Sequence, residues 1–199
     1  MILPKFCDKI SDGEFETFLT EPFGEKTKLK EEKMNEKTKK ITLYTTRGAL
    51  IAALYVVLTL ASALFGLSSG AIQFRISEAL CILPIFLPEA IPGLFIGCMI
   101  SNLIASGVIW DIIFGSIATL IGAVGARMLR NLPKKLLWLA SLPTVLSNAL
   151  IVPFVLIYAY GATEAFPFLC LTVGIGELVC ALGLGYPLCL TLKKQNFRF

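Results

Sequence analysis

The sequence predicts an all-α integral membrane protein with six transmembrane helices in one bundle. Of its 199 residues, 56% are hydrophobic and 16% are charged, whereas a soluble domain is roughly 45–50% apolar and about 25% charged. Six apolar runs follow one another after a polar start, and most Lys and Arg residues fall in three regions between or beyond these runs. We therefore expect a multi-pass protein of the cell membrane with both termini in the cytoplasm.

Residues 1–45 form a polar segment that we interpret as a cytoplasmic tail, and residues 46–194 form the membrane domain. Residues 1–40 contain nine basic and nine acidic side chains, which cancel and argue against a nucleic-acid-binding arm. The segment lacks the apolar centre of a signal peptide. The sequence KEEKM at residues 30–34 can be encoded by a purine-rich ribosome-binding site and a start codon, so a second expectation is that translation begins at Met34.

The first apolar run, residues 46–67, is long enough for one crossing, which needs about 20 residues. Ala49 and Ala53 lie four residues apart and form a small-xxx-small pair that lets another helix approach closely. Two interpretations remain open for this pair. It packs against a helix of the same chain, or it docks a partner subunit.

A short polar stretch, QFRISEAL at residues 73–80, separates the first and second apolar runs. Its charges are costly in a bilayer, because a charged side chain at the centre costs about 2.5–3.5 kcal/mol on insertion scales. Arg75 and Glu78 are three residues apart and would share one face of a helix that begins here. The stretch is either an ordinary loop into the second helix or a segment that faces a water-filled cavity.

The remaining five runs complete the bundle. The second, residues 79–87, contains Pro84 and ends before two more prolines, so we expect a short or kinked helix and a tight turn. The third, residues 93–105, has small residues at every fourth position (Gly93, Gly97, Ser101 and Ala105), which predicts a thin, closely packed face. The fourth, fifth and sixth runs cover residues 112–128, 136–160 and 166–192.

The placement of basic residues predicts the orientation. Of 18 Lys and Arg residues, ten lie up to Arg47, four lie in the loop after the fourth run and three follow the sixth run. Six crossings place these three regions on one side, which is the cytoplasm by the positive-inside rule. Arg75 alone falls on the opposite side, so the polar stretch 73–80 should face outward.

Four polar side chains in or at the apolar runs are candidates for a binding site: Glu78, Asn102, Asn148 and Glu177. A buried carboxylate needs a partner, and no Lys or Arg lies at the depth of Glu177 along its helix. An acid of this kind suggests a ligand with a positive or hydrogen-bond-donating group. The alternative for the two asparagines is a hydrogen bond between helices. Aromatic residues, namely Phe74, Phe154, Tyr158, Phe166 and Phe168, could stack on a planar ligand.

Other functions are disfavoured by what the sequence lacks. It contains no histidine, and its six cysteines include no CxxC pair, so we expect neither a metal nor a cofactor. It has no GxxxxGK[ST] nucleotide-binding loop and no clear nucleophile–base pair, so we expect no enzyme activity. A capture subunit that depends on a separate motor is one interpretation. A stand-alone secondary transporter with Glu177 as proton carrier is the alternative.

The stretch 73–80 resembles the QueT family, together with Leu83, Pro84, the turn AIPGLFIGC at residues 90–98 and DIIFGSIATL at residues 111–120. The resemblance covers about residues 46–194. QueT proteins are S components, the substrate-binding subunits of energy-coupling factor (ECF) transporters, and are assigned to queuosine precursors. It implies a six-helix bundle with an outward-open site beneath the loop between the first two helices. It also implies a transmembrane coupling subunit, which Ala49 and Ala53 would contact, and two ATPase subunits.

The resemblance further implies a deazaguanine substrate, such as the aminomethyl form or queuine. Its cationic amine and guanine-like N–H edge suit the acidic and amide groups of the candidate site. As hypotheses of our own, Glu177 meets the ring edge or the amine, and Glu78 with Arg75 lies at the lid end. Asn102 and Asn148 make amide contacts, and Phe74 stacks on the ring.

Overall fold

The computed structural model of the chain describes residues 12–66 and 74–194, with side chains from Lys33 onward except that of Lys134. The chain separates into two compact units, Met1–Tyr44 and Thr45–Phe199. Within the described ranges the structure is helical and contains no strand. Apart from the exposed Glu36–Lys40 pair of the first unit, the contacts considered below lie within the second unit.

The described residues contain six α-helices, with a short 3-10 helix between the first two. They are α1 (Asp12–Leu64), the short helix (Ile76–Ile85), α2 (Ala90–Ala105), α3 (Ile109–Met128), α4 (Leu142–Tyr160), α5 (Phe166–Glu177) and α6 (Gly185–Lys194). Two further 3-10 segments, Leu129–Asn131 and Lys134–Ser141, lead from α3 into α4. A π-helical segment, Leu178–Leu184, joins α5 to α6, so the sixth apolar run is one continuous helix with a widened middle.

Among the described residues, four helical stretches are long and apolar enough to cross a membrane: Lys33–Leu64, Ile109–Asn131, Lys135–Tyr160 and Phe166–Lys194. The short helix has 10 residues and α2 has 16. At a rise of about 2.0 Å and 1.5 Å per residue they measure roughly 20 Å and 24 Å, less than the hydrocarbon thickness of about 30 Å. The multi-pass architecture is therefore clear, whereas the six-crossing count and the orientation stay predictions.

The short helix lies at the centre of the described core. Its residues from Ser77 to Ile85 are all buried. One side contributes Leu80, Cys81 and Leu83 to an apolar cluster with α1, α2 and α3. The other side contributes Ile82 and Ile85 to a second cluster with Lys134–Ser141 and α6. The prediction of a short helix in the second run is thus confirmed, and the surrounding helices pack around it.

Side chains of α1 bind the first turn of the short helix. The backbone N–H of Ile76 donates to Ser62 Oγ at 3.1 Å. One turn away, Thr59 Oγ1 donates to Ser77 Oγ at 2.7 Å. These bonds satisfy polar groups that have no partner inside the helix and are shielded from water. They also fix the start of the short helix against α1.

Arg127 of α3 binds the other end of the short helix. Its Nη1 donates to the backbone carbonyls of Pro84 at 3.0 Å and Ile85 at 3.1 Å. Carbonyls in the last turn of a helix lack intrahelical partners, and a cation there also complements the helix dipole. Pro84 has no N–H to donate, which is consistent with a helix that ends at the following residue.

Close approach between α1 and α2 depends on glycine. An added Cβ at Gly93 would lie 2.6 Å from the carbonyl oxygen of Gly48, and one at Gly97 would lie 2.9 Å from that of Ala52. The predicted thin face is therefore confirmed at these two positions, and Ser101 is also buried, whereas Ala105 is exposed. Ala49 and Ala53 lie on the exposed side of α1. The small residues that pack inside the chain are thus their neighbours, Gly48 and Ala52.

A Gly93→Ala substitution should destabilise the fold, because the backbone of α1 leaves no room for a methyl group. We expect a loss of about 1–3 kcal/mol, the usual cost of overpacking. Thermal unfolding of the detergent-purified chain measures this as a lowered midpoint. Gly183→Ala is the matched control, since a Cβ there meets nothing within 4 Å. Equal midpoints for the two variants would contradict the close α1–α2 contact.

Candidate functional site

Seven buried or largely buried side chains meet around the first turns of the short helix, and we call them the polar cluster. They come from six helical elements and are Tyr55, Arg75, Glu78, Asn102, Asp111, Asn148 and Glu177. The cluster has two parts. In the first part, Arg75, Asn102 and Asp111 bond to one another. The second part contains two acids, Glu78 and Glu177, together with Asn148.

Arg75 forms an ion pair with Asp111 at the start of α3. Its Nη2 lies 3.7 Å from Asp111 Oδ1, and its Nη1 donates to Asn102 Oδ1 at 3.4 Å. Burial of the guanidinium disfavours its charged form, but the Asp111 carboxylate and further acidic neighbours outweigh this, so the pKa of Arg75 is raised above its ordinary value. Arg75 is therefore a fixed cation of the cluster.

The prediction that Arg75 and Glu78 share one face of a helix is wrong, and Arg75 pairs with Asp111 instead. Arg75 has extended backbone angles, φ −108° and ψ 98°, and precedes the first helical residue. The i, i+3 rule applies to residues that are both helical, and it therefore does not place the two side chains on one face. The side chain of Arg75 turns towards α2 and α3 instead.

Asn102 connects α2 to α3. Its Nδ2 donates to the backbone carbonyl of Asp111 at 3.0 Å, and it also approaches Cys98 Sγ at 3.6 Å. Tyr160, the last residue of α4, donates its O–H to Asp111 Oδ2 at a distance of 3.1 Å. The interhelical hydrogen bond that was the alternative for Asn102 is thus present. The donor group of Asn102 is used within the protein, and its acceptor orients Arg75.

Glu78 is 1% exposed and accepts two hydrogen bonds. Tyr55 O–H donates to its Oε1, and Cys81 Sγ donates to its Oε2 at 3.1 Å. Tyr55 is itself completely buried in α1. Both side-chain oxygens of Glu78 therefore have a donor within the protein.

Glu177 and Asn148 carry the unpaired polar atoms of the cluster. Glu177 is 5% exposed and Asn148 is 3% exposed, yet Glu177 Oε2 and Asn148 Nδ2 have no hydrogen-bond partner. The two side chains are close enough to interact with each other, but these two atoms are not in hydrogen-bond geometry. The charges that act on Glu177 are those of Glu78 and Arg75. Unpaired groups of this kind are rare in protein interiors and call for an explanation.

The expectation that Glu177 has no cation at its depth needs correction. Arg75 acts on it electrostatically, because the first turn of the short helix is buried and brings Arg75 into the protein interior. No direct ion pair between them is formed at 4 Å or less.

Glu177 is the last residue of α5, and the π-helical segment begins at the next residue. Single π-helical turns within α-helices frequently occur at functional sites.

Comparison with known proteins identifies the family of the chain. Residues 45–194 match the QueT transporter family. The chain belongs to the QueT transporter family. A relative from Lactococcus lactis subsp. cremoris (strain MG1363), described as "Queuosine precursor transporter QueT", is 44% identical over 73 residues. The match covers 37% of this chain and 43% of the relative, and no solved structure matches significantly.

The aromatic residues of this QueT family member lie mostly outside the polar cluster. Phe154 stacks on Tyr158 at a centroid distance of 6.4 Å and contacts Phe166 at 4.6 Å. Phe154 and Tyr158, with Trp110 and Phe114, line an apolar groove of about 600 Å³ between α3 and α4. None of the groove's lining residues belongs to the cluster. Stacking of Phe154 or Tyr158 on a ligand held by Glu177 is therefore not what the structure suggests.

The remaining aromatic candidates lie elsewhere. Phe74 is partly buried beside Arg75, which keeps it next to the cluster, whereas Phe168 is exposed. Gln73 of the stretch 73–80 lies outside the described residues. Stacking of Phe74 on a ligand therefore stays a prediction, which rests on its position next to Arg75 in the chain.

Sequence reasoning missed Tyr55 and Asp111. Asp111 follows Trp110 at the start of an apolar run, where an acid is easily explained as an ordinary helix-start residue. Tyr55 lies within an apolar run and gives no local signal of its hydrogen bond to Glu78. Within the described ranges, no three His, Cys, Asp or Glu side chains are arranged to hold a metal ion.

Removing one member of the Arg75–Asp111 pair should strongly destabilise the protein. Arg75→Gln or Asp111→Asn alone should cost about 3 kcal/mol, because each leaves a buried charge without its partner. The double variant should lose less than the sum of the two, which a double-mutant cycle on thermal unfolding measures. Lys40→Gln, in the exposed Glu36–Lys40 pair, is the control and should change little. Strict additivity would contradict the pairing.

Proposed function

We propose that the chain is the substrate-binding S component of an ECF-type transporter and captures a queuosine precursor from outside the cell. A transmembrane coupling subunit and two ATPase subunits would drive import. Family membership and the name of the Lactococcus relative support the substrate class. The observation that carries the proposal is the buried pair of unpartnered groups, Glu177 Oε2 and Asn148 Nδ2.

The chemistry of these two groups fits a deazaguanine. A carboxylate oxygen accepts hydrogen bonds, and an amide N–H donates one. The guanine-like edge carries N–H donors beside a carbonyl acceptor, so Asn148 could bind the ring carbonyl, and Glu177 could bind either an N–H of the ring edge or the amine of the ligand. The acids of the polar cluster also suit the cationic amine of the aminomethyl form or of queuine.

The rest of the polar cluster would position this pair. Arg75, Asn102 and Asp111 bond to one another and connect the short helix to α2 and α3. Phe74, which precedes Arg75 in the chain, would cover the ring by stacking. In this proposal Arg75 and Asn102 act by holding the site in shape, and Glu78 supplies negative charge beside Glu177.

Ala49 and Ala53 would form the contact with the coupling subunit. Both are exposed on α1, and their small side chains let another helix approach closely. Leu50, Leu54 and Val57 are also exposed on α1 and enlarge its apolar surface. We place both termini in the cytoplasm, so that the polar cluster opens to the outside.

Equilibrium binding of the aminomethyl deazaguanine to the purified full chain tests the substrate. We expect tight binding, with guanine and riboflavin much weaker. Glu177→Gln should weaken binding roughly 10- to 100-fold, because a hydrogen bond to a charged group contributes about 1.5–3 kcal/mol. Glu164→Gln, which changes an exposed loop carboxylate, should bind as the wild type does. A folded wild-type chain that binds none of these compounds would overturn the substrate assignment.

A stand-alone proton-coupled transporter is the second candidate, and the two buried acids Glu78 and Glu177 favour it. Proteoliposomes separate the two functions. The S component should accumulate labelled substrate only when the coupling and ATPase subunits and ATP are present. Accumulation by the chain alone, abolished by a proton uncoupler, would instead establish the secondary transporter.

A further inference from the structure

The polar cluster contains more acids than cations. Glu78, Asp111 and Glu177 are all buried, and Arg75 is the guanidinium among them. Asp111 is the ion-pair partner of Arg75 at 3.7 Å. Glu78 and Glu177 are therefore left as two buried carboxyls beside a cation that is already paired.

In the part of the chain that the structure describes, the groups around the two acids supply no further positive charge. The titratable side chains that interact with Glu78 or Glu177 come from every element packed there: Tyr55 of α1, Arg75 and Cys81 at the short helix, Cys98 of α2, and Cys180 of the π-helical segment. Asp111 and Tyr160 lie on the far side of Arg75. The charges that act on Glu177 itself are those of Glu78 and Arg75.

Two neighbouring buried carboxyls rarely ionise together. Each charge disfavours the other, and burial disfavours both, so one group takes up a proton instead. The hydrogen-bond geometry separates the two acids. Glu78 accepts from Tyr55 O–H at one oxygen and from Cys81 Sγ at the other. Glu177 Oε2 has no donor in hydrogen-bond geometry, which leaves Glu177 as the acid that can hold the proton.

A second unpaired polar atom lies at the same place. Asn148 Nδ2 is buried close to Glu177, but it has no acceptor in hydrogen-bond geometry. An unpaired buried amide is costly, by about 1–3 kcal/mol, and the cost disappears if a bound molecule supplies an acceptor. At this place Glu177 has an oxygen that can accept a further hydrogen bond, and Asn148 has an N–H group that can donate one.

We propose that Glu177 holds a proton in the ligand-free protein and that a cationic ligand displaces it on binding. The O–H bond of the Glu177 carboxyl breaks, the proton leaves to water, and an ammonium N–H of the ligand donates to the carboxylate. One positive charge replaces another, so the net charge of the cluster is unchanged. The identity of the ligand rests on the proposed function, whereas the proton on Glu177 does not.

Infrared spectroscopy of the full ligand-free chain in nanodiscs tests the proton without any ligand. We expect a protonated-carboxyl band at neutral pH that is absent in Glu177→Gln and shifted in Glu177→Asp. Glu164→Gln, the exposed control, should keep the wild-type band. A band that Glu177→Gln leaves intact would overturn the assignment, and so would a wild-type chain without the band. Glu177→Asp keeps the test valid if Glu177→Gln does not fold.

Calorimetry in two buffers of different ionisation enthalpy measures the exchange itself. The aminomethyl deazaguanine should release about one proton per bound ligand, and its affinity should rise about tenfold per pH unit while Glu177 is protonated. A neutral analogue with a nitrile on the same ring should release none. Binding of the cationic ligand without proton release would overturn the exchange but leave the proposed function intact. A failure to bind, with the Glu177 band present, would overturn the proposed function and leave the proton on Glu177.

Discussion

The fold depends on the hydrogen bonds at the two ends of the short helix. In an apolar interior, every backbone polar group needs a partner, because unsatisfied groups cost several kcal/mol each. Ser62 of α1 accepts from Ile76 at one end, and Arg127 of α3 donates to the carbonyls of Pro84 and Ile85 at the other. A ten-residue helix can therefore be buried on all sides and hold α1 and α3 at fixed positions around it.

Burial of the short helix determines the electrostatics of the candidate site. Its first turn brings Arg75 into the interior, where the guanidinium needs a carboxylate, and Asp111 supplies it. That pairing leaves Glu78 and Glu177 without a free cation. The site of this QueT family member thus has a rigid half around Arg75 and an electrostatically incomplete half around Glu177. In our proposals the second half takes a proton when empty and a cationic deazaguanine when loaded.

Several features were predictable because they depend on neighbouring residues in the chain. Pro84 limits the length of the second helix, and the spacing of Gly93 and Gly97 predicts the thin face that packs on α1. A carboxylate in an apolar run marks Glu177 as unusual wherever the helix lies. The partner of Arg75 was not predictable, because Asp111 is 36 positions away and the local alternative, Glu78, lies three positions away.

The sequence by itself determined that this is a multi-pass helical membrane protein and which acid and amide side chains lie in its apolar runs. Composition and periodicity suffice for this, since both follow from transfer of side chains into lipid. The tertiary structure decided which of these groups already have partners. Asn102 is bonded to Asp111, whereas Asn148 and Glu177 have unpaired atoms. Hydrogen bonding between distant helices depends on how they pack, and no local pattern encodes that.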